Sequence, residues 1–476
     1  MSKILITTAI DYVNDVIHIG HAYQKIAADV LARYYRNKFG TNNVFFVTGT
    51  DEHGQKVQET AQKNNKTPQE FTDYISLLDE QQQDYLNISY NRFIRTTDKD
   101  HIKTVTQFWE KSQKNNDIYL NDFEGLYCIG CESFKTKSEL INNHCPLHPN
   151  LEIKLIKEKN YFFRWSKYKN FLKDIITTNE LTVLPETRKN EVLAFIDKIE
   201  DISISRSKSN LQWGINVPND DSQVIYVWFD ALINYLTAGL AINFWDNNTK
   251  IIHLLGKDNL RWHALLWPAM LKSAGYRLPN IIYAHGFLTI NGQKISKSLG
   301  NIIRPSELVQ TYNSDTIRYY LMRHTSFEND SDLSLEKIKN IYNGELANGL
   351  GNFASRVLAL TLNQKLNLQD TNKEIVNKTN DLIYKANNYI EQFKFSEALG
   401  LIWEFISFGD NYINLNKPWE NKNINILTDL IYMLHNINIL IRPFLPDTNL
   451  KLNQLLPIKN NIIFVTNKQT LFPKIK

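Results

Sequence analysis

The sequence predicts a parallel α/β domain, interrupted by a metal-binding insertion and followed by an all-helical domain. Three observations carry that reading: a strand, helix, strand alternation near the start, a cysteine cluster among short strands, and helical periodicity from about Ser334 onward. A chain of 476 residues is too long for one compact core, so two to four structural units are expected. Apolar content of 43% and charged content of 22% are ordinary for a soluble globular protein. No uninterrupted apolar stretch reaches membrane-spanning length, and Met1-Ser2-Lys3 followed by Ile4-Leu5-Ile6 is not a signal peptide. A soluble cytoplasmic protein without a membrane partner is therefore expected. The net charge of +4 permits nucleic-acid binding without arguing for it. Three cysteines in that compartment do not form a structural disulfide framework. Runs such as Asn142-Asn143, Asn247-Asn248 and Asn460-Asn461 are loop-tolerated composition and carry no functional reading.

Along the chain, residues 1–115 form the first half of the α/β domain. Residues 3–8 read as a buried strand. Ile26, Ala27, Val30, Leu31, Tyr34 and Tyr35 recur at helical spacing between Ala22 and Phe39, and Gly40 suits a helix C-terminus. Val44 to Thr48 is the next strand. This βαβ unit implies a parallel sheet with ligands at the carboxyl ends of its strands, so the loops from Asp11 to Gly20 and from Gly49 to Gly54 are expected to face one crevice. Residues 116–222 read as the insertion. The α/β pattern resumes over 223–299, at Val224 to Trp228 and Ile251 to Leu255. Residues 300–345 are a connector, and 346–476 a helical domain with amphipathic runs such as Ile375 to Phe393 and Ile424 to Leu440. Pro418 and Pro443 bound or interrupt helices there. No internal repeat is evident.

Two short motifs carry chemistry. His18 and His21 share one face of a helix start, Gly20 lets a ligand approach the backbone, and free N–H groups of a first helical turn favour phosphate. Lys294 and Lys297 follow a turn-like Asn291-Gly292-Gln293, and two lysines so spaced can grip one polyphosphate, with Ser296 and Ser298 adding hydroxyls. Such charge accelerates a reaction only if it acts more strongly on the transition state. Alone, the first motif is equally well a pair of surface histidines, and the second reads first as a solvated basic loop. Together they supply what attack on the α-phosphate of ATP requires. Gly49-x4-Gly54 has P-loop spacing, but Gln55 stands where the phosphate lysine belongs. Gly349-Leu350-Gly351 lies in a helical region without a preceding strand, so neither decoy holds.

Cys128-x2-Cys131 and Cys145-x2-His148 fall in one short window. Four soft or borderline ligands at that spacing signal a closed tetrahedral Zn2+ site, with His144 an alternative ligand and a redox Cys-x-x-Cys the competing reading. With no open coordination position, one structural zinc per chain is expected to fold an insertion that has little core of its own.

His18-Ile19-Gly20-His21 and Lys294-Ile295-Ser296-Lys297-Ser298 resemble the HIGH and KMSKS signatures of class I aminoacyl-tRNA synthetases, with Ile295 in place of Met. Ile6-Thr7-Thr8, Gly49 to Lys56, Tyr226 to Ala231, Gly256-Lys257-Asp258, His285-Gly286 and Asn348 to Arg356 are similar to the bacterial-type methionyl-tRNA synthetases in particular. The resemblance implies a Rossmann-like catalytic domain, a zinc knuckle in the connective insertion and a helical anticodon-binding domain. It implies an ATP-dependent ligase that makes methionyl-adenylate with Mg2+ and ATP, then charges initiator and elongator tRNA(Met). It places Ile10, Tyr12, Trp228, Ala231, Leu232, Tyr235 and His263 around the L-methionine side chain and Asp51 on its ammonium. His18, Gly20, His21, Gly256, Asp258 and Lys297 would bind ATP, with adenine near His285 to Leu288. His18, His21, Lys294 and Lys297 would be catalytic, and Asn352, Arg356 and Trp419 would read the CAU anticodon. Sulfur–aromatic contacts and an enclosed carboxylate facing an ammonium agree with that pocket. Asp11, Val13 and Asn259 depart from residues common in such relatives and bear on the pocket wall. Absence of a recognised appended module suggests a monomer. A nucleotidyltransferase making a small activated metabolite and a catalytically idle tRNA-binding relative are the alternatives. The length beyond residue 345 and the two intact motifs oppose them.

Overall fold

The computed structural model of the protein describes residues 3–135, 137–146, 148–296, 300–421 and 423–475. The chain divides into two compact units. One comprises residues 1–17, 39–81 and 90–285, the other residues 18–38, 82–89 and 286–476.

The first unit is built on a seven-stranded, wholly parallel sheet. Its strands run in the order Asp11–Tyr12, Val44–Asp51, Lys3–Thr8, Thr249–Gly256, Ile281–His285, Thr182–Leu184, and Arg92–Arg95 also pairs with Val44–Asp51. Parallel sheets are covered on both faces, and Lys3–Thr8 is accordingly buried from Ile4 to Thr8. The expected parallel α/β architecture is thus present. Thr182–Leu184, inside the stretch read as an insertion, adds to the edge of this sheet. One large apolar cluster, including Leu5, Val47, Phe108, Trp109, Phe163, Phe229, Ile251 and Trp267, fills the unit. The cysteine-bearing stretch is antiparallel. Ile118–Cys128 pairs with Lys154–Phe163 and Ser133–Lys135, and Lys154–Phe163 pairs with Ile202–Ser203.

The second unit is mainly helical. Its first helix, Ile19–Phe39, begins at the histidine motif, and its Asp29 and the guanidinium of Arg318 form a fully buried ion pair at 2.7 Å. Burial would raise the Asp29 carboxyl, but Arg318 and Arg33 hold it below the usual carboxylate range. Later helices include Ser314–His324, Asn352–Leu360, Lys373–Glu391, Phe395–Asn416 and Ile424–Ile441. Ile424–Ile441 is long and apolar enough to cross a membrane, and 67% of it is buried inside the protein, as suits the central helix of a bundle. Two small sheets interrupt the helices: Leu288–Ile290 with Gln293–Lys294 and Ser331–Leu333, and Lys365–Asn367 with Ile462–Phe464 and Ile458–Lys459.

Candidate functional site

In the first unit, the carboxyl end of the sheet gathers the residues expected around an amino acid. Tyr12 pairs in register with Asp51, and the Val13 N–H donates to the Asp51 carbonyl at 3.1 Å, so the loops after the first two strands do run side by side. Val13 itself is buried in an apolar cluster with Val16, Val57, Ala61, Phe71 and Ile75. It is a packing residue.

Acidic residues crowd this end of the sheet, and Asp230, Glu52 and Glu132 each have charged or hydrogen-bonding partners. Asp230 is fully buried, with Oδ2 at 2.6 Å from His53 Nδ1 and Oδ1 at 2.7 Å from His101 Nε2. Burial pushes its carboxyl up, but the two histidines outweigh that and hold it low. Glu52 pairs with Arg95 at 2.6 Å. Glu132 accepts from the Tyr12 hydroxyl at 2.8 Å and from the Lys56 N–H at 2.6 Å. Among the described residues Asp51 has no such partner. It accepts from the His53 N–H, while its Oδ1 is buried and meets no hydrogen-bond donor. Burial, then the charges of Asp230, Glu132 and Glu52, push its carboxyl well above the usual range. A buried carboxylate oxygen without a donor is costly, and a cationic group beside it would favour its ionised form.

Beside it stands an aromatic wall. His263 Nδ1 lies 2.9 Å from the Asn259 carbonyl, which can only accept, so Nδ1 carries the proton. Its Nε2, at 2.7 Å, then accepts from the Tyr235 hydroxyl. Burial pushes the His263 pKa down to about 4 and the Tyr235 hydroxyl up, so this pair is neutral near pH 7. Because the bond uses the Asn259 backbone, it does not depend on that residue's side chain. Ala231 and Leu232 are buried, Ile10 is half-buried against the core, and the Trp228 ring stacks on Trp262 at 4.7 Å and 13°. His263 and Trp262 belong to a π-helical turn, Trp262–Leu266, a local geometry often found at functional sites. At the end of Thr249–Gly256, a Cβ on Gly256 would come within 2.6 Å of the Asp258 carboxylate, so the glycine leaves room for that group.

The donors of Cys128, Cys131, Cys145 and His148 all lie within 4.8 Å of one another. Cys131 Sγ is 3.4 Å from Cys145 Sγ and 3.3 Å from His148 Nδ1, and Cys128 Sγ is 3.9 Å from the same nitrogen. Tetrahedral zinc–sulfur bonds of about 2.3 Å place sulfurs roughly 3.8 Å apart, so the donor set and its spacing fit that metal. Hydrogen bonding between the two thiols splits them, holding Cys128 low and Cys131 high. His144 is exposed and outside the cluster.

In the second unit, the histidine motif and the lysine loop meet. The His18 and His21 rings stack at 3.9 Å, His18 Nδ1 accepts from the Gly20 N–H at 3.1 Å, and the Ile19 N–H donates to the Ile303 carbonyl at 2.9 Å. A Cβ on Gly20 would stand 2.8 Å from His18 Cε1 and 3.6 Å from Ile295 Cδ1, which puts the two motifs in contact distance. Asn301 ties the loop back, accepting from the Ser296 N–H and donating to the Lys294 carbonyl. Lys294 is exposed, its ammonium 5.6 Å from the Phe287 ring centroid. Lys297 and Ser298 lie outside the described residues.

Further along, a π-helical segment, Tyr342–Gly351, runs straight into Asn352–Leu360. Asn352 is exposed there. Arg356 binds Asp410 at 2.8 Å and Asn414 at 2.6 Å on the helix Phe395–Asn416. That helix ends at Lys417 in a left-handed conformation, and the half-exposed Trp419 follows Pro418.

Comparison with known proteins decides the family. The family described as tRNA synthetases class I (M) matches residues 4–152 and 136–358, and the one described as Anticodon-binding domain of tRNA ligase matches residues 372–471. A methionine–tRNA ligase of Fusobacterium nucleatum is 39% identical over 481 residues, covering 96% of this chain and 75% of that protein. One from a Nostoc species is 39% identical over 493 residues, covering 98% of this chain and 91% of that protein. The chain belongs to the methionine–tRNA ligase family. A solved structure, Mycobacterium tuberculosis methionyl-tRNA synthetase in complex with methionyl-adenylate, superposes with a TM-score of 0.92 at 32% identity, over 99% of this chain and 100% of that one.

Within this methionine–tRNA ligase fold, sequence reasoning missed several residues that build the site. Asp230, His53 and His101 form a buried network under Asp51, Trp262 doubles the ring at Trp228, and Glu132 holds Tyr12. The Trp228-Phe229-Asp230-Ala231 run and the position of Glu132 directly after Cys131 were the available signals, but their partners lie far away in sequence.

Proposed function

We propose that this chain activates L-methionine with ATP, giving methionyl-adenylate and pyrophosphate, and then transfers the methionyl group to the 3′ end of initiator and elongator tRNA(Met). The observation that carries the amino-acid assignment is Asp51, a buried carboxylate without a cation beside a neutral aromatic wall. The methionine ammonium binds Asp51. Its thioether contacts the rings of Tyr12, Trp228, Tyr235 and His263, with Ile10, Ala231 and Leu232 completing the apolar surface. A neutral His263–Tyr235 pair suits an uncharged thioether better than a cation would.

In the first step the methionine carboxylate attacks the α-phosphorus of ATP, which arrives with Mg2+. His18 and His21 bind that phosphate, Gly20 permits its approach, and Lys294 and Lys297 hold the departing pyrophosphate. Gly256 and Asp258 receive the ribose. In the second step the terminal adenosine of tRNA attacks the acyl carbon. No side chain acts as covalent nucleophile; catalysis is alignment and charge stabilisation. Asn352, Arg356 and Trp419 read the anticodon, the tryptophan by stacking on a base. Cys128, Cys131, Cys145 and His148 hold one zinc, which closes the 116–222 insertion and takes no part in the chemistry. One methylene is worth about 1–3 kcal/mol of discrimination, so homocysteine is rejected by cyclisation in the same site. The protein works as a cytoplasmic monomer, off the membrane.

The test is aminoacylation of tRNA(Met) with labelled methionine against the other amino acids. Methionine-selective charging supports the assignment. Charging with another amino acid, or adenylate formation without transfer, contradicts it.

A further inference from the structure

Glu132 directly follows the ligand Cys131, yet its side chain does not belong to the metal cluster. Its backbone is left-handed, with φ of +50°, which turns the side chain inward until only 4% of the residue is exposed. There Oε1 accepts from the Tyr12 hydroxyl at 2.8 Å and from the Lys56 N–H at 2.6 Å, and Oε2 accepts from the Tyr127 hydroxyl. The Tyr226 hydroxyl donates to the Glu132 carbonyl, so the backbone is held as well.

Two features are shaped around this carboxylate. Gly54 adopts φ of +113°, and a Cβ there would lie 2.6 Å from the Tyr12 hydroxyl and 3.1 Å from Glu132 Oε1, so the glycine leaves the space in which the two meet. Arg206 is buried with its guanidinium 5.2 Å from the Tyr127 centroid, 4.6 Å from Phe134 and 4.3 Å from Tyr226, which places a positive charge behind the carboxylate. A buried acid with this many donors is a fixed post.

We propose that Glu132 is a positioning residue for methionine: standing on the cysteine turn, it fixes the Tyr12 ring beside Asp51, so that a closed metal knuckle sets the shape of the amino-acid pocket. This rests on the reading of Tyr12 and Asp51 as methionine-binding. Tyr12 is the register neighbour of Asp51, and a tyrosine released from Glu132 loses the bond that holds its hydroxyl. Lys56 and Tyr127 anchor the post; Tyr12 receives its effect.

The test is methionine-dependent ATP–pyrophosphate exchange with the zinc-loaded enzyme and its Glu132→Ala, Glu132→Gln and Tyr12→Phe variants, with zinc content and melting temperature measured on each. Loss of one charge-assisted hydrogen bond predicts a rise of about tenfold or more in the KM for methionine in Glu132→Ala, with the KM for ATP nearly unchanged. Glu132→Gln, which keeps an acceptor for Tyr12, recovers most of the loss. Tyr12→Phe reproduces it, and the double variant is no worse than the worse single one. Equal rises in both KM values, a loss in kcat alone, or additive effects of Glu132→Ala and Tyr12→Phe would overturn the role of Glu132 while leaving the methionine site standing. If Glu132→Ala does not fold, Tyr12→Phe still decides: a KM for methionine that stays unchanged in it, or rises equally with that for ATP, would overturn the role. A wild-type enzyme with no methionine-dependent exchange would overturn both this role and the site on which it rests.

Discussion

Asp51 ends the strand Val44–Asp51 among other acids: histidines hold Asp230, an arginine holds Glu52 and hydroxyl and N–H donors hold Glu132, while Asp51 Oδ1 itself meets no donor among the described residues. Its carboxyl is raised by burial and by those neighbours, so in the ligand-free enzyme it keeps its proton to higher pH than an ordinary carboxylic acid. An ammonium binds the ionised form. Methionine affinity should therefore rise with pH through the raised pKa, with a proton released on binding below it, and calorimetry in buffers of different ionisation enthalpy reads that proton directly. In Asp51→Asn the pH dependence should vanish, and kcat/KM for methionine should fall roughly 100-fold or more, the scale of about 3–5 kcal/mol for removing one partner of a buried ion pair. Gly20 makes a second demand at this scale, since a Cβ there meets the His18 ring at 2.8 Å. Gly20→Ala should displace that ring and lower kcat of exchange about 100-fold with little change in the KM for methionine, measured in steady state. His18, Gly20 and Lys294 were legible in the sequence because each sits in a motif a few residues long. The His53–Asp230 and Tyr12–Glu132 bonds were not, because 177 and 120 residues separate their partners.

The cysteine knuckle and the helical end show what an element adds. Four donors within 21 residues, Cys128 to His148, announce a metal because spacing alone brings them together. Gly130 sits inside the first pair, and a Cβ there would reach 2.4 Å from His148 Cγ. Gly130→Ala should push the imidazole off the cluster, and zinc retained after dialysis against a chelator should fall about tenfold or more, read by metal analysis. At the other end, Arg356 is tied to Asp410 and Asn414, which fixes the end of Phe395–Asn416 just before Trp419. Trp419→Ala should remove a stacking platform worth about 1–3 kcal/mol and raise the KM for tRNA(Met) about tenfold, with ATP–pyrophosphate exchange nearly intact. Equal loss of both activities would count against a base-reading role. The strand Thr182–Leu184 was not legible: three residues offer no periodicity, and only the waiting edge of Ile281–His285 makes them a strand. The π-helical turns at Trp262–Leu266 and Tyr342–Gly351 escaped for a related reason, since one extra residue per turn leaves the apolar spacing looking helical.

Across the whole molecule, parallel α/β architecture, zinc-ligand spacing and a helical C-terminal half were readable because period, ligand type and length are local properties summed over many residues. The division of the chain was less so. The helix Ile19–Phe39 begins right after the first strands of the sheet, yet most of it packs within the second unit through Asp29 and Arg318, together with the lysine loop. A pairing across nearly three hundred residues leaves no trace in spacing. Stability of the whole fold should also carry the pocket's signature. Burial drives the His263 pKa down to about 4 and that of His253 well below its usual value, so the unfolded chain binds more protons than the folded one under acid conditions. The contribution of both histidines is present above about pH 6.5 and is lost as pH falls toward 4, which a melting-temperature series over that window should follow. Asp51 acts in the opposite sense: its raised carboxyl favours the ligand-free fold at low pH and loses that contribution as pH rises through the folded value. Saturating methionine should offset that loss, because its ammonium favours the ionised form of Asp51. The most direct test of the account is ATP–pyrophosphate exchange driven by methionine in the wild-type enzyme and in Asp51→Asn. Exchange that depends on methionine, and collapses in the variant while zinc content and melting temperature hold, is the predicted result. Wild-type exchange that ignores methionine, or an Asp51→Asn enzyme with an unchanged KM for it, would contradict the account.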